Sequence, residues 1–176
     1  MNKYLNQMKK MLAVLIVLTL SGCKSMMENQ TVSKSHINST LDAWHKAAAE
    51  ANYNAYFALM ADDAIFIGTD AAENWNKTAF QAYSKPHFDK GKAWSFTALE
   101  RHIYFDETGK IAWFDELLNT QMKICRGSGV LVKIGKEWKI KHYVLSMTIP
   151  NENSNEVIKA KASLEDAMIK TLKSKQ

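Results

Sequence analysis

Apolar residues along the chain change their spacing twice, and each spacing predicts a different kind of segment. A continuous apolar run covers residues 11–20. Further along, apolar positions recur every three or four residues, which predicts an amphipathic helix with the stripe Ile37, Leu41, Trp44, Ala48 and Ala51. From Trp94 the period falls to two and β-branched and aromatic residues dominate, which predicts strands.

Two more helices are expected between the first helix and the strands. Asn54 is a suitable N-cap for a short second helix, which Asp62-Asp63 would end before a strand at residues 64–67. A polar loop from Thr69 to Trp75 then leads to Asn76, the expected cap of a third helix that Pro86 kinks or ends.

Four long strands are expected near residues 94–105, 111–119, 124–134 and 137–149, with a tight turn at Gly135-Lys136. After Pro150 a broken apolar stripe predicts a last helix. Helices followed by a run of strands indicate an α+β fold, with an antiparallel sheet of about four to five strands on three N-terminal helices and a C-terminal helix.

The N-terminal segment is typical of a secretory leader, with Lys3, Lys9 and Lys10 before the apolar run. That run is about half of the roughly twenty residues that a membrane-spanning helix needs. Leu20-Ser21-Gly22-Cys23 resembles the bacterial lipobox. We therefore expect residues 1–22 to be removed and Cys23 to carry lipid, palmitate included. The alternative is a soluble secreted protein with an ordinary cleavage site.

Lipidation of Cys23 implies a protein anchored to the bilayer of the cell envelope. Lys24 follows the cysteine, and an Asp there would resemble an inner-membrane retention signal. Where two membranes are present, the periplasmic face of the outer membrane is favoured. Residues 23–35 are polar enough for a tether, residues 36–150 fit one domain, and residues 151–176 form a helical extension.

Charge and cysteine content exclude several classes of function. Three of the 23 basic residues lie in the leader, so 20 basic residues face 18 acidic ones in the mature chain, a net charge of +2. This balance, without a basic cluster, argues against nucleic-acid binding. Only Cys125 remains beside Cys23, which excludes an internal disulfide and a zinc site built on two cysteines. We expect neither a metal nor a cofactor, and a buried, unreactive Cys125 rather than a nucleophile.

Several segments resemble the SnoaL-like branch of the nuclear transport factor 2 superfamily over about residues 37–150. The residues that carry the resemblance are Leu41 to His45, Phe66 to Asp70 with Glu73 and Trp75, Arg101 to Phe105, Ala112 to Glu116, Arg126 to Leu131, and Trp138 to Ile140. The resemblance implies a cone in which a curved sheet wraps around helices and leaves a pocket at its open end.

The resemblance does not imply one activity, because the superfamily includes isomerases, dehydratases, cyclases, an epoxide hydrolase and non-catalytic association domains. No catalytic set of the superfamily can be carried over residue by residue to this chain. Many members pair through the sheet, so a homodimer is an expectation that rests on resemblance alone.

Candidate site residues follow from charges expected on facing strands. Glu116 and Arg126 lie on neighbouring predicted strands, where a bidentate pair could position a polar ligand, or could equally be an exposed ion pair. His142 shares a predicted face with Trp138, Ile140 and Val144, so it is either a base or a structural histidine.

Other candidates lie in the first helix, the polar loop and the aromatic positions. Asp70 and Glu73 could meet a ligand at the mouth of the cone, or could bond locally within their loop. Trp44 and His45 differ in direction by about 100°, so only one is expected to face inward. The apolar walls of a pocket would come from Trp75, Tyr83 and Phe114, unless these residues serve only as core.

Two hypotheses from different classes remain open. In the first, a tethered domain binds a small, partly apolar molecule or serves as an association domain. In the second, an enzyme of the isomerase, dehydratase or hydrolase type uses Glu116, His142 or Asp70 for proton transfer. The enzyme requires one of these three groups to be buried in a cavity, within reach of a ligand.

Overall fold

The structure is a computed structural model that describes residues 30–175. The predicted leader, Cys23 and the first part of the tether lie outside the described residues. The first described helix, α1, covers residues 30–49. The other elements are α2 (Tyr53–Ala58), β1 (Met60–Ile67), β2 (Asn74–Asn76), α3 (Lys77–Asp89), β3 (Phe96–Phe105), β4 (Ile111–Thr120), β5 (Lys123–Ile134), β6 (Glu137–Met147), a 3-10 turn (Asn151–Asn153) and α4 (Ser154–Lys173).

Helix α1 has the predicted apolar stripe, and its members Ile37, Leu41, Trp44 and Ala48 are almost wholly buried. Burying a large apolar side chain of this kind stabilises a fold by about 1.5–3 kcal/mol. The tether prediction is wrong for residues 30–35, which are helical. Their polarity reflects exposure on a helix surface, which composition alone does not distinguish from a linker.

The predictions for α2 and β1 need correction at their boundaries. The N-cap of α2 is Asn52, whose side-chain oxygen accepts from the Ala55 N–H, and not Asn54. Helix α2 ends at Ala58, so Asp62 and Asp63 do not end it. They are exposed residues of β1, where each carboxylate pairs with a lysine. The prediction for α3 is confirmed at its start, because the Asn76 side chain accepts from the Ala79 N–H.

The sheet has six strands, in the order β2-β1-β6-β5-β4-β3. Strands β3, β4 and β5 form the predicted antiparallel meander. The expected four to five antiparallel strands were too few, because β2 is a short edge strand within the predicted polar loop. The sheet is also not wholly antiparallel, since β1 pairs with β6 in parallel. Register shifts in β1 and β3 bend the sheet, and helices α1, α2 and α3 pack on its inner face.

The strand directions give the sheet two distinct ends. We call the hairpin end the one with the β3–β4 turn at residues 106–110 and the β5–β6 turn at Gly135-Lys136. The start of α1 lies at the hairpin end, because a groove there is lined by those two turns and by Gln30, Val32, Ser33 and His36. The loop end has the β4–β5 turn at residues 121–122 and, because β1 runs parallel to β6, the segment that follows β1 at Gly68.

The chain divides into two compact units at Met147, and the second is described here by itself. After Pro150 a 3-10 turn leads into α4, in which no residue is fully buried. Several of its apolar side chains are exposed, among them Ile158, Leu164, Ile169 and Leu172. None of the helices within residues 30–175 is long and apolar enough to cross a membrane.

Candidate functional site: an aromatic cavity and a buried ion-pair network

A cavity of about 230 Å³ lies at the loop end of the sheet. Its apolar walls come from β1, β2, α3, the segment before β3 and β3 itself, through Phe66, Trp75, Phe80, Tyr83, Trp94 and Phe96. Polar groups of Thr69, Glu73, His87 and Gln121 also line it. The cavity thus combines extensive aromatic surface with a few polar groups, as small-molecule sites usually do.

Helix α3 sets much of the aromatic wall because Phe80, Tyr83 and His87 follow at spacings of three and four, on one helix face. The rings of Tyr83 and Trp75 stack, with centroids 4.4 Å apart and planes 25° apart. Phe80 stacks on Phe66 with centroids 4.0 Å apart. The Asn76 cap fixes where α3 begins relative to Trp75, so the cap positions this wall.

The loop after β1 holds Glu73 at the cavity by hydrogen bonds within the loop. The Glu73 carboxylate accepts from the Asp70 N–H at 3.1 Å, and Gly68 N–H donates to the Glu73 carbonyl at 3.0 Å. A Cβ at Gly68 would lie only 2.1 Å from Glu73 Oε2, so a side chain at this position would displace the Glu73 carboxylate. Asp70 is exposed, does not line the cavity, and bonds the Ala72 N–H at 2.8 Å.

A second feature is the carboxylate of Glu116, which is wholly buried on the inner face of β4. His45 Nε2 lies 2.8 Å from Glu116 Oε1, and Arg101 Nε donates to Oε2 at 2.9 Å. Because an ionised carboxylate only accepts, Nε2 of His45 carries the hydrogen of its bond. The buried Arg101 also donates to Asp42 at 2.9 Å and to the Asn38 side chain at 3.1 Å. This network joins α1 to β3 and β4.

Burial by itself would raise the pKa of Glu116, but the His45 hydrogen bond and the charges of His45 and Arg101 outweigh it. The pKa of Glu116 therefore lies below its ordinary value of 4.5. Burial and the neighbouring Glu116 raise the pKa of Tyr143 well above its ordinary value, so its hydroxyl stays protonated and donates to Glu116 Oε1 at 3.3 Å. Gly127 leaves room for this hydroxyl, since a Cβ there would lie 2.3 Å from it.

The predicted pairing of Glu116 with Arg126 is wrong. Arg126, on β5, lies opposite Leu117 of β4. Its side chain is therefore exposed on the face of the sheet opposite to Glu116. Glu116 lies opposite Arg101 on β3 and Gly127 on β5. The cation that pairs with the buried Glu116 carboxylate is therefore on β3 and not on β5. The register between neighbouring strands determines which side chains share a face of the sheet.

His142 is also not on the face predicted for it. Trp138 and Ile140 are buried, but the alternation then breaks and Tyr143 and Leu145 are the next buried residues. This irregularity accompanies the register shift between β6 and β1. His142 lies half-buried opposite Ile65, and it does not line the aromatic cavity.

Trp44 and His45 are both buried, so the expectation that only one faces inward is wrong. Trp44 packs on Tyr56 and Tyr143, whereas His45 contacts Glu116 and the edge of Phe96. The residues packed around α1 therefore cover both of these directions. Phe114 is buried core that does not line the cavity, while Glu73, Trp75 and Tyr83 do line it.

Several residues of these two features were not singled out from the sequence. Arg101 is two residues from the buried Ile103 on β3, so both side chains point to the inner face of the sheet. A cation at an inward position indicates that it has a buried partner. The sequence pattern does not distinguish the other aromatic cavity residues from ordinary core residues; these are Phe66, Phe80, Trp94 and Phe96. Among residues 30–175, no group of three or more His, Cys, Asp or Glu side chains is placed to hold a metal.

Replacing Arg101 by Met should destabilise the protein strongly, because it leaves the Glu116 charge buried without its main cation. Losing one partner of a buried pair costs about 3–5 kcal/mol. The matched control is Arg126→Met on the exposed face, for which a change within about 0.5 kcal/mol is expected. Urea unfolding of both variants measures this, and equal losses would contradict the assignment of Arg101 as the partner.

Glu116 should also make stability depend on pH. The pKa of Glu116 is lower in the folded protein than in the unfolded chain. The stabilisation that Glu116 contributes is therefore complete above its pKa in the unfolded chain, and it is lost as pH falls through its pKa in the folded protein. The unfolding free energies of the wild type and Glu116→Gln should therefore converge as pH falls below about 4.5. Asp115→Asn, on the other face of β4, is the control. A difference that stays constant with pH would refute the prediction.

Comparisons with known proteins agree with the architecture. An NTF2-like protein of unknown function from Pseudomonas putida is 17% identical, with 70% of this chain and 92% of that chain covered and a TM-score of 0.59. A candidate scytalone dehydratase from Novosphingobium aromaticivorans is 13% identical, with 70% and 89% covered and a TM-score of 0.59.

A candidate NTF2-like dehydratase from Streptomyces avermitilis is 10% identical, with 69% of this chain and 99% of that chain covered and a TM-score of 0.59. At such identities these likenesses show the fold alone. A comparison with curated protein sequences finds no match. The SnoaL-like domain family matches residues 37–150, which is well over half of the sequence. The chain therefore belongs to the SnoaL-like domain family and has the α+β NTF2-like fold.

Proposed function

We propose that this protein binds a small, partly apolar molecule in the aromatic cavity at the loop end of its sheet. The observation that carries the proposal is the composition of that cavity, with six aromatic side chains and a few polar groups around one concave space. Aromatic side chains offer large contact areas, and a few polar groups can fix the orientation of a bound molecule.

The volume limits the size of the ligand. A dry cavity of about 150 Å³ is known to hold benzene, and this one measures about 230 Å³. It is smaller than the roughly 300–1,000 Å³ of a typical drug-sized site. A single substituted ring, a small bicyclic molecule or a compact branched molecule fits this space.

The alternative, an enzyme that uses Glu116, His142 or Asp70 for proton transfer, is less well supported. Glu116 Oε1 accepts from His45 and Tyr143, and Oε2 accepts from Arg101, so its acceptor sites are engaged. None of the three candidate groups lines the aromatic cavity. The dehydratase names belong to those relatives, and their 10–13% identity carries no reaction over to this chain.

We also propose that lipid on Cys23 anchors the domain to the membrane of the cell envelope. The described part of α1 starts at the hairpin end, whereas the cavity lies at the loop end. Strands of about ten residues separate the two ends by about 33 Å. A tether that enters the domain at the start of α1 would thus keep the cavity away from the bilayer, open to ligands in the aqueous phase.

Association into a homodimer stays a prediction. The face of the sheet opposite the helices exposes Tyr104 and Trp113, whose rings stack with centroids 6.0 Å apart. Exposed aromatic residues are common at protein interfaces, but nothing within residues 30–175 shows what covers these.

Tyr83→Leu should weaken ligand binding, because it removes the ring that stacks on Trp75 at the cavity. With indole as the probe, we expect affinity to fall about three- to tenfold. Tyr104→Leu is the matched control, since Tyr83 and Tyr104 are exposed to 45% and 47%, respectively, and Tyr104 is on the outer face. Saturation-transfer NMR measures the binding. Failure of indole to bind the wild type, or equal weakening in both variants, would count against the proposal.

Cys23→Ser should abolish lipid attachment and release the protein from the membrane fraction. Cells that express the full chain and are fed a labelled fatty acid should label the wild type and the Cys125→Ser variant equally, because Cys125 is wholly buried and far from the lipobox in sequence. The variant without Cys23 should carry no label. Equal labelling of the Cys23→Ser variant would exclude the anchor proposed here.

A further inference from the structure

The aromatic cavity has an uneven distribution of charge. Among the described residues that line it, Glu73 supplies the one carboxylate, and no lysine or arginine takes part. Within residues 30–175, Glu73 also forms no ion pair with a basic side chain. Glu116, in contrast, is compensated by Arg101 at 2.8 Å. His87 also lines the cavity, but among the described residues it forms no ion pair with Glu73. The negative charge of Glu73 is therefore left for a ligand to neutralise.

The position of Glu73 is fixed by the protein itself. Its Oε2 accepts from the Asp70 N–H, its backbone bonds Gly68, and the absence of a side chain at Gly68 lets the carboxylate pack against the chain. The side chain is only partly exposed, so its charge is less screened by water than that of a fully exposed carboxylate. A preorganised carboxylate of this kind binds a cation without a further ordering cost.

The aromatic walls favour the same class of ligand. Indole, phenol and phenyl rings have a negative electrostatic potential on their faces and attract cations, with tryptophan the strongest. Trp75, Tyr83 and Trp94 line the cavity together with Glu73. Alkylammonium groups suit such surroundings because they are large, weakly hydrated and apolar on the outside. An anion would instead be repelled by the Glu73 carboxylate.

We propose that the ligand is a small organic cation, an alkylated ammonium on a compact apolar body, with Glu73 as its counterion and the cavity rings as its π surface. This inference rests on the proposed function, since it names the chemical class that the cavity takes. It separates Glu73 from Glu116 in role: Glu73 recognises the ligand, and Glu116 holds the fold.

Three probes of nearly equal shape test the charge preference. Choline, 3,3-dimethylbutan-1-ol and 3,3-dimethylbutanoate each carry a group of three methyls, with a positive, a neutral and a negative charge, respectively. Isothermal titration against the full chain in nonionic detergent should show choline binding at least about tenfold more tightly than the alcohol, and the anion most weakly. Equal affinity for choline and the alcohol, or preference for the anion, would overturn the inference.

Glu73→Gln should weaken choline binding about tenfold and leave binding of the alcohol unchanged. Glutamine keeps an oxygen that can accept from the Asp70 N–H, so the loop should keep its conformation. Glu107→Gln is the matched control, because Glu107 is exposed at the hairpin end, away from the cavity. Weakening by both variants alike would indicate a nonspecific effect of net charge and would contradict the role of Glu73.

Indole binding distinguishes failure of this inference from failure of the proposed function. If indole binds but choline has no advantage over the alcohol, the cavity binds small apolar molecules and only its cation preference is refuted. If neither indole nor choline binds the full chain, both proposals fail.

Discussion

The buried ion pair between Glu116 and Arg101 is the constraint on which the rest of the structure depends. It joins the two long strands β3 and β4, and through His45, Asn38 and Asp42 it joins both to α1. Without its partners the Glu116 charge could not remain buried, because an isolated carboxylate in an apolar interior costs far more than a fold can supply. The network therefore fixes the helix against the inner face of the sheet.

The domain contains two carboxylates in contrasting surroundings, one inside this network and one outside it. Glu116 is enclosed by His45, Arg101 and Tyr143 and has its pKa lowered, so it stays ionised in the fold. Glu73 lies in a loop, holds its place through backbone hydrogen bonds and faces the aromatic cavity. Glu116 is suited to stabilising the fold, because its charge is buried and is compensated by Arg101. Glu73 is suited to contact with a ligand, because it has a fixed position at a cavity.

Local pattern predicted much of the fold but less of the candidate site. The period of α1, the Asn76 cap and the meander of long strands all depend on neighbours in sequence, so they could be read from the chain. The pairing of Glu116 with Arg126 and the inward direction of His142 were wrong, because each depended on strand register. One irregular position in β6 reverses every later assignment along that strand.

The sequence by itself determined the α+β class, the order of the main elements and the SnoaL-like resemblance, because propensity, capping and hydrophobic period are local properties. It also identified Glu73, Trp75 and Tyr83 as candidate pocket residues. Only the tertiary structure decided that Arg101 compensates Glu116 and that Glu73 lines an aromatic cavity while Asp70 does not. These facts depend on sheet register and on contacts between residues far apart in sequence, which no local pattern encodes.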